Sequence, residues 1–129
     1  MARRLATWMG LDRRGATAVE TAILLLVLLT FVFGITEFAR AIWTQAALDF
    51  AVEAAARCAV SNKTVCANTS QTQTFAAGQT AALNIDSSAF SVTSQACGTQ
   101  VSVSVPFQFA VPNLLPFSIT LNATACYPN

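Results

Sequence analysis

Few residues of this chain could do chemistry, and the first of them is Glu20. This carboxylate stands at the start of an apolar stretch, five residues after Gly15, and residues 21–36 carry no charged side chain. A carboxylate at the edge of hydrocarbon costs free energy unless another group uses it. Thr17 and Glu20 also form a T-x-x-E pattern, which is typical of a capping box at the start of a helix. Glu20 is therefore either a charge that another group uses or a helix cap.

Cysteines are the second group of reactive residues: Cys58, Cys66, Cys97 and Cys126. Four cysteines allow three disulfide pairings. A zinc site is the alternative, but no two of these cysteines form a C-x-x-C pair, so disulfides are favoured. Disulfides would place this part of the chain in an oxidising compartment such as a periplasm.

Catalysis finds little support in the sequence. The chain has no histidine, which removes the commonest general base and the usual triads. It also has no glycine-rich phosphate loop and no basic footprint of the kind that binds nucleic acid. We therefore expect a protein that is not an enzyme, has no cofactor or metal, and does not bind nucleic acid.

The elements that must position Glu20 begin with an apolar segment, residues 16–36, which is long enough to cross a bilayer as a helix of about 20 residues. Four arginines and one acid precede it: Arg3, Arg4, Arg13, Arg14 and Asp12. Such positive charge is retained on the cytoplasmic side of a membrane, so the lipid bilayer is an expected partner. A cleaved signal peptide is the alternative, because Ala39-Arg40-Ala41 has the small-x-small pattern of a signal-peptidase site. Glu37 and Arg40 crowd that site, and the helical pattern continues through it.

The helical pattern runs on to Ala59 without proline and with many alanines, the best helix former. One helix is therefore expected over residues 16–60, apolar all round in its first half and amphipathic in its second. A small-residue apolar face is expected on the second half, at Leu48, Val52, Ala55 and Ala59. Trp43 would lie just outside the membrane, where aromatic belts form. Gly34 is interpreted as a small packing residue.

Residues 61–129 are expected to form a small domain beyond the membrane. After a polar loop and a short helix around Thr72 to Leu83, the apolar period changes to two, which predicts strands. The expected strands are residues 90–95, 99–109 and 117–126. Pro106 within the second of these suggests an edge strand or a bulge. The predicted fold is thus α+β, a small antiparallel sheet packed on the amphipathic half of a long helix.

The predicted hairpin between the last two strands also selects one disulfide pairing. Its loop, residues 110–116, contains two prolines and an asparagine and is centred near residues 111 and 112. Cys97 and Cys126 lie symmetrically about that centre, so antiparallel pairing brings them together. Cys58 and Cys66 are then left to close a short ring.

Taken together, the residues around Glu20 resemble a type IV prepilin leader, a basic segment ending in Gly15 followed by a helix with glutamate as its fifth residue. More closely, RRGATAVETAILLLVLLTFVFGITEFARAIW resembles the start of TadE-like proteins, minor pilins (pseudopilins) of the Tad tight-adherence pilus. The resemblance is carried by Arg14-Gly15, Val19-Glu20 and Glu37-Phe38-Ala39-Arg40. It is specific over residues 13–60 and loose beyond them. Thr21 departs from the family, which often has an aromatic residue after the glutamate.

The resemblance implies a series of processing and assembly steps. A prepilin peptidase of the inner membrane would cut between Gly15 and Ala16, release the leader (residues 1–15) and leave an α-ammonium on Ala16. Glu20 of one subunit would then neutralise the Ala16 ammonium of its neighbour in the low-dielectric core of a helix-packed filament. The implied partners are the peptidase, other pilin and pseudopilin subunits and the inner-membrane Tad assembly machinery. The implied function is pilus assembly and adhesion, by a single-pass inner-membrane protein with a cytoplasmic N-terminus and a periplasmic C-terminal domain.

Two other functions stay open at this point. The chain could be a membrane-anchored periplasmic binding domain in which Glu20 is only a cap. It could also be a small secreted adhesin that signal peptidase releases. The mature chain would begin at Ala16 in a pilin and at Ile42 in the secreted form, and it would keep its leader in the plain anchor.

Overall fold

The computed structural model describes residues 5–110 and 118–129, with side chains from residue 15 onward. Its elements are α1 (Leu5–Ser61), α2 (Thr69–Gln79), β1 (Phe90–Gln95), β2 (Gly98–Phe107) and β3 (Ile119–Tyr127). Two short 3-10 helices, Ala81–Leu83 and Ser87–Ala89, lie between α2 and β1. A long apolar N-terminal helix with a small antiparallel sheet confirms the predicted α+β fold class.

Two compact units share α1: Met1–Phe38 and Ala39–Asn129. The described part of the first unit is α1 alone, whereas the second contains the remainder of α1, α2 and the strands. Element boundaries and packing units therefore differ, because α1 supplies core residues to the sheet. The predicted division at residues 15 and 60 concerns processing and the end of the helix, and it stays a prediction.

α1 begins at Leu5, so part of the segment expected to be a leader is helical as well. No proline interrupts it, since every proline of the chain lies at residue 106 or beyond. The helix ends at Ser61, one residue past the expected end. Apolar side chains and alanines dominate its length, and these residue types favour a continuous helix.

The core of the second unit lies between α1 and the sheet. Its buried members are Leu48, Ala51, Val52, Ala55 and Ala56 on α1, Ala76 on α2, and Phe90, Val101, Val103 and Ala123 on the strands. The expected small-residue face of α1 is confirmed, because its four residues are all less than a tenth exposed. Alanines at the contact let a helix approach its neighbours closely, so α1 can pack against this small sheet.

The sheet has the order β1-β2-β3, and both of its pairings are antiparallel. The first of the predicted strands is confirmed as it stood, and the other two shift by one or two residues at their ends. Along β2 the inward Val101 and Val103 alternate with polar residues, which is the period that identified the strand. Most of the predicted hairpin loop, from residue 111 onward, lies outside the described residues.

Pro106 lies in the central strand, so the prediction of an edge strand is wrong. The prediction of a bulge is also wrong, since the pairing of β2 with β3 runs without a break from Thr99↔Tyr127 to Phe107↔Ile119. The pairing of β2 with β1, however, ends at Val103↔Phe90. Pro106 thus lies beyond the end of β1, where β2 needs no hydrogen-bond donor on that side.

Both expected disulfides are present, Cys58–Cys66 and Cys97–Cys126, with Cα–Cα distances of 5.8 and 6.3 Å. The zinc alternative is therefore wrong, because no cysteine is free. Cys97 lies in the turn between β1 and β2 and bonds to Cys126 from there. It is not the strand partner of Cys126, which is paired with Gln100. The hairpin axis falls at residue 113, midway between paired residues, rather than near 111 and 112.

Gly98 fixes the start of β2 next to this disulfide. Its φ is +125°, a backbone conformation that side chains rarely adopt. A Cβ built there would lie 2.1 Å from the Tyr127 carbonyl oxygen and 2.7 Å from the Pro128 Cα. Glycine is required here both by conformation and by the close approach of the C-terminal backbone.

The short helix of the second unit is α2, which starts three residues before the expected Thr72 and is followed by a separate 3-10 helix. Asn68 is its N-cap, with the side-chain Oδ1 accepting from the Gln71 amide at 2.9 Å. This cap accounts for the earlier start, because a capped backbone amide stabilises the first turn.

Candidate functional site

The first unit presents an uncovered apolar surface. From Val19 to Phe38 the large apolar side chains of α1 are between about two fifths and seven tenths exposed, with Leu29 at 43% and Phe38 at 69%. Among the described residues one helix is long and apolar enough to cross a membrane, and its most apolar window has a mean hydropathy of 2.5. The surface of a soluble protein seldom exposes so large an apolar area. Such an area is typical of a surface that a lipid bilayer or another chain covers. The expectation of a single-pass membrane helix fits this finding.

Polar groups inside this surface are already satisfied along the helix. The hydroxyls of Thr21, Thr30 and Thr36 donate to the carbonyls of the residues four positions earlier, each at 2.8 Å. A hydroxyl bonded to its own helix can enter an apolar medium at little cost, because it needs no water. The charged group that closes the N-terminal end of this surface is Glu20.

Glu20 lies exposed on the helix, a little over one turn beyond Gly15. The capping-box interpretation requires the helix to begin at Thr17, yet α1 begins at Leu5. That interpretation is therefore wrong for the unprocessed chain. The Thr17 carbonyl accepts from the Thr21 hydroxyl, as in a helix interior.

Gly15 and Ala16, the residues of the expected cleavage site, are exposed residues inside α1. A Cβ added to Gly15 would meet no atom within 4 Å. The fold of this chain thus does not require glycine at residue 15, in contrast to residue 98. Glycine weakens a helix by about 1 kcal/mol relative to alanine. The helix is therefore easier to unwind around residue 15, as a peptidase that cuts there would require.

Gly34 is likewise open, with nothing within 4 Å of an added Cβ. A shallow depression of about 320 Å³ surrounds it, lined by Thr30, Phe31, Ile35 and Phe38. The expected packing role of Gly34 has no counterpart inside this chain. It stays a prediction about contacts with another molecule.

Just beyond the apolar segment, the second unit holds Arg40 against the sheet. Its guanidinium carbon lies 5.6 Å from the centroid of the Phe107 ring, which meets Phe109 edge-on at 5.3 Å. Trp43 is 57% exposed, which suits its expected place in an aromatic belt. Arg57 makes the matching contact at the far end of the sheet, 5.8 Å from the Tyr127 ring centroid. Neither contact is predictable from the sequence, because nothing in a strand pattern indicates which helical cation its aromatic ring will meet.

Among the remaining acids, Asp86 stabilises local structure. Asp86 caps the second 3-10 helix by accepting from the Ser88 amide at 2.8 Å. Hydrogen bonds from the Ser88 side chain and backbone hold the pKa of Asp86 below its usual value. Within the described residues no three potential ligands cluster as a metal site would require.

The comparisons with known proteins concern the same segment as these residues. A family model described as TadE-like protein matches residues 15–57, about a third of the chain. The matched range begins at Gly15, contains Ala16, Glu20 and Glu37–Arg40, and ends one residue before Cys58. This match confirms the resemblance seen in the sequence. No curated protein and no solved structure matches the chain.

Proposed function

Since residues 15–57 are TadE-like, placing the chain with proteins associated with the Tad pilus, we propose that it is a minor pilin (pseudopilin) processed after Gly15. The observation that carries the proposal is the combination of an apolar helix surface that the chain leaves exposed with one carboxylate at its N-terminal end. A surface of this kind suits both a bilayer before assembly and neighbouring helices afterwards. The exposed position of Glu20 leaves its carboxylate accessible to another subunit.

The role of Glu20 follows from the cleavage step. Hydrolysis of the Gly15–Ala16 bond by a prepilin peptidase creates an ammonium at Ala16, close to Glu20 along the helix. Packed among apolar helices, an ammonium without a counter-charge is strongly destabilising, and pairing with a carboxylate removes that cost. In our proposal Glu20 of one subunit pairs with the Ala16 ammonium of the next and sets the axial register of the two helices.

The proposed topology has the N-terminus in the cytoplasm and the second unit in the periplasm. The arginines ahead of the apolar segment support this orientation by the positive-inside rule. The two disulfides support it independently, since they persist in oxidising compartments. The proposed partners are the peptidase, other pilin subunits and the Tad assembly machinery, and adhesion would follow from the assembled pilus.

A membrane-anchored binding domain is the second candidate, and one feature of the second unit favours it. A groove of about 480 Å³ lies between α1, the Cys58–Cys66 ring and α2. Phe50 and Val65 border it and are 60% and 48% exposed. In this alternative the leader stays attached and Glu20 has no partner subunit. The secreted adhesin is disfavoured, because cleavage after Ala41 would cut through α1 and remove Arg40 from Phe107.

The proposal is tested by Glu20→Gln with Glu53→Gln as the matched control. Both glutamates are exposed on α1, but Glu53 lies in the second unit. Glutamine keeps the size and helix propensity of the side chain, so the fold and the disulfides should be unchanged. We expect Glu20→Gln to be largely processed but unable to support piliation, at a cost of about 3–5 kcal/mol in the assembly step. Glu53→Gln should assemble normally.

The measurement is piliation of cells that rely on each variant, together with the size of the protein and non-reducing peptide mapping. Wild-type piliation with Glu20→Gln would refute the docking role of Glu20. Equal loss of piliation in both variants would also refute it, because the effect would then not depend on the N-terminal end of the apolar segment.

A further inference from the structure

The two edges of the sheet differ in how they are protected. β1 has six residues, α2 packs beside it, and the Gln73 amide donates to the Phe90 carbonyl at 2.6 Å. β3 has nine residues and, within the described part of the chain, pairs with a strand on one side alone. The Gln45 amide donates to the Asn122 carbonyl at 2.9 Å, and it reaches a single residue of β3. The edge of β3 is thus the longer and the less covered.

β3 also lacks the features by which proteins block an edge strand. Such features are lysine or other charges, proline, and bulges that twist the edge away. β3 contains no charged residue and no proline, and no charged side chain follows Asp86 anywhere in the chain. Its pairing with β2 is unbroken, so it has no bulge. A long, regular, uncharged edge is suited to accept another strand.

The side chains of β3 indicate what kind of strand would fit. Thr120, Asn122 and Thr124 are exposed on one face of the sheet. The alternate residues Leu121, Ala125 and Tyr127 are half-buried against the core, and Ile119 is half-buried as well. An incoming strand with apolar residues at alternate positions would cover the exposed part of those side chains. We propose that the outer edge of β3 binds an extended, uncharged segment of another protein, which joins the sheet as an additional strand.

The geometry of the second unit argues against a second copy of this chain as the occupant. Arg40 lies at the Phe107 end of the sheet and Arg57 at the Tyr127 end, so α1 runs alongside β3 in the same direction. Antiparallel pairing of two β3 strands would put the two Ala39 ends at opposite ends of the joined sheet. In the proposed function both copies enter the membrane from their Ala39 ends, which antiparallel pairing does not allow. This step rests on the proposed function. Two-fold parallel pairing of one edge with itself would bring identical backbone groups face to face.

The test uses the full-length chain in lipid nanodiscs and a peptide with the sequence of residues 99–105, acetylated and amidated. This segment of β2 is uncharged, alternates valine with polar residues, and already pairs with the other side of β3. The control peptide carries proline at its two serine positions and so lacks two backbone donors. Hydrogen exchange of the backbone amides is followed residue by residue.

We expect the peptide to slow exchange at alternate amides of β3 and to leave β1 unchanged. Thr124→Lys should abolish this protection, because a charge on an edge strand opposes pairing. Thr93→Lys is the matched control, an exposed threonine changed in the same way on β1, and should keep it. Slow exchange at Val101 in both variants shows that the fold persists.

Three results would overturn the proposal. The first is no protection of β3 by the peptide in the wild-type chain. The second is equal protection with the proline peptide or in Thr124→Lys. The third is protection of β3 that rises with protein concentration in the absence of peptide, which would identify a second copy as the occupant. None of these readouts depends on cleavage at Gly15 or on piliation, so the proposed function can fail separately.

Discussion

The two units of this molecule satisfy their apolar side chains in different ways. In Ala39–Asn129 the apolar residues of α1 are buried against the sheet, and Leu48 and Ala55 are fully buried. In Met1–Phe38 the large apolar side chains of the same helix from Val19 onward, such as Ile35 at 69%, are largely exposed. The sequence of the second unit is therefore explained by contacts within the chain. That of the first unit fits a membrane-spanning segment, and in our proposal it also contacts other subunits.

The glycines make the same comparison at single-residue scale. Gly98 is surrounded by backbone atoms and has a positive φ, whereas Gly15 and Gly34 of the first unit, and Gly78 of the second, have no atom within 4 Å of an added Cβ. A substitution at a packed position of the second unit, such as Gly98, should consequently lower folding stability. A substitution in the first unit should be felt at processing or assembly, with folding unchanged.

Gly98→Ala should have a large effect on folding. The new Cβ would collide with the Tyr127 carbonyl oxygen in a conformation that alanine avoids. We expect a loss of about 2–4 kcal/mol in the free energy of unfolding of the second unit. Gly34→Ala is the control and should leave that free energy unchanged. Chemical denaturation of the full chain in detergent measures both, and equal effects would contradict the contrast between the units.

Removal of each disulfide measures how much that disulfide stabilises the second unit. Loop entropy predicts a loss of about 3.6 kcal/mol for the Cys97–Cys126 pair and about 2.5 kcal/mol for the shorter Cys58–Cys66 ring. Alanine is the replacement for all four residues, because Cys58 and Cys66 are buried. Denaturation of the two double variants gives the comparison, and non-reducing peptide mapping of the wild type should recover both pairs. Recovery of Cys58 linked to Cys126 would contradict the hairpin.

Gly15→Val should change processing while leaving stability nearly the same. The β-branched side chain fits the open helix surface but not a peptidase site built for the close backbone approach that glycine allows. We expect the variant to accumulate at precursor size in the membrane with both disulfides formed. Gly34→Val, an equally open position, should mature normally. Normal maturation of Gly15→Val would remove the prepilin interpretation.

Much of the second unit could be predicted because its signals are local. The period of two located the strands, and the hairpin symmetry selected Cys97–Cys126. The prediction of an edge strand for Pro106 is wrong, because the sequence does not reveal that the pairing of β2 with β1 stops at Val103. The contact of Arg40 with Phe107 was also out of reach, since it joins residues far apart in the chain.

For the first unit, the sequence indicates the candidate site residues, and the structure adds less. The motif that identifies Gly15 and Glu20 is recognisable in the sequence, and the matched family range contains both residues. The fold adds that an added Cβ at Gly15 would meet no described atom within 4 Å, that Glu20 is exposed, and that α1 begins well before Thr17. In our proposal lipid, and after assembly other subunits, cover the apolar surface, and a fold pattern within one chain does not contain those atoms.

The mass of the mature protein, isolated from its native membrane, tests the central claim most directly. Our account predicts a chain that begins at Ala16, with both disulfides intact and the second unit complete. A mass that includes residues 1–15 would contradict the pilin proposal and favour the membrane-anchored binding domain. A chain that begins at Ile42 would contradict it as well and identify a secreted protein.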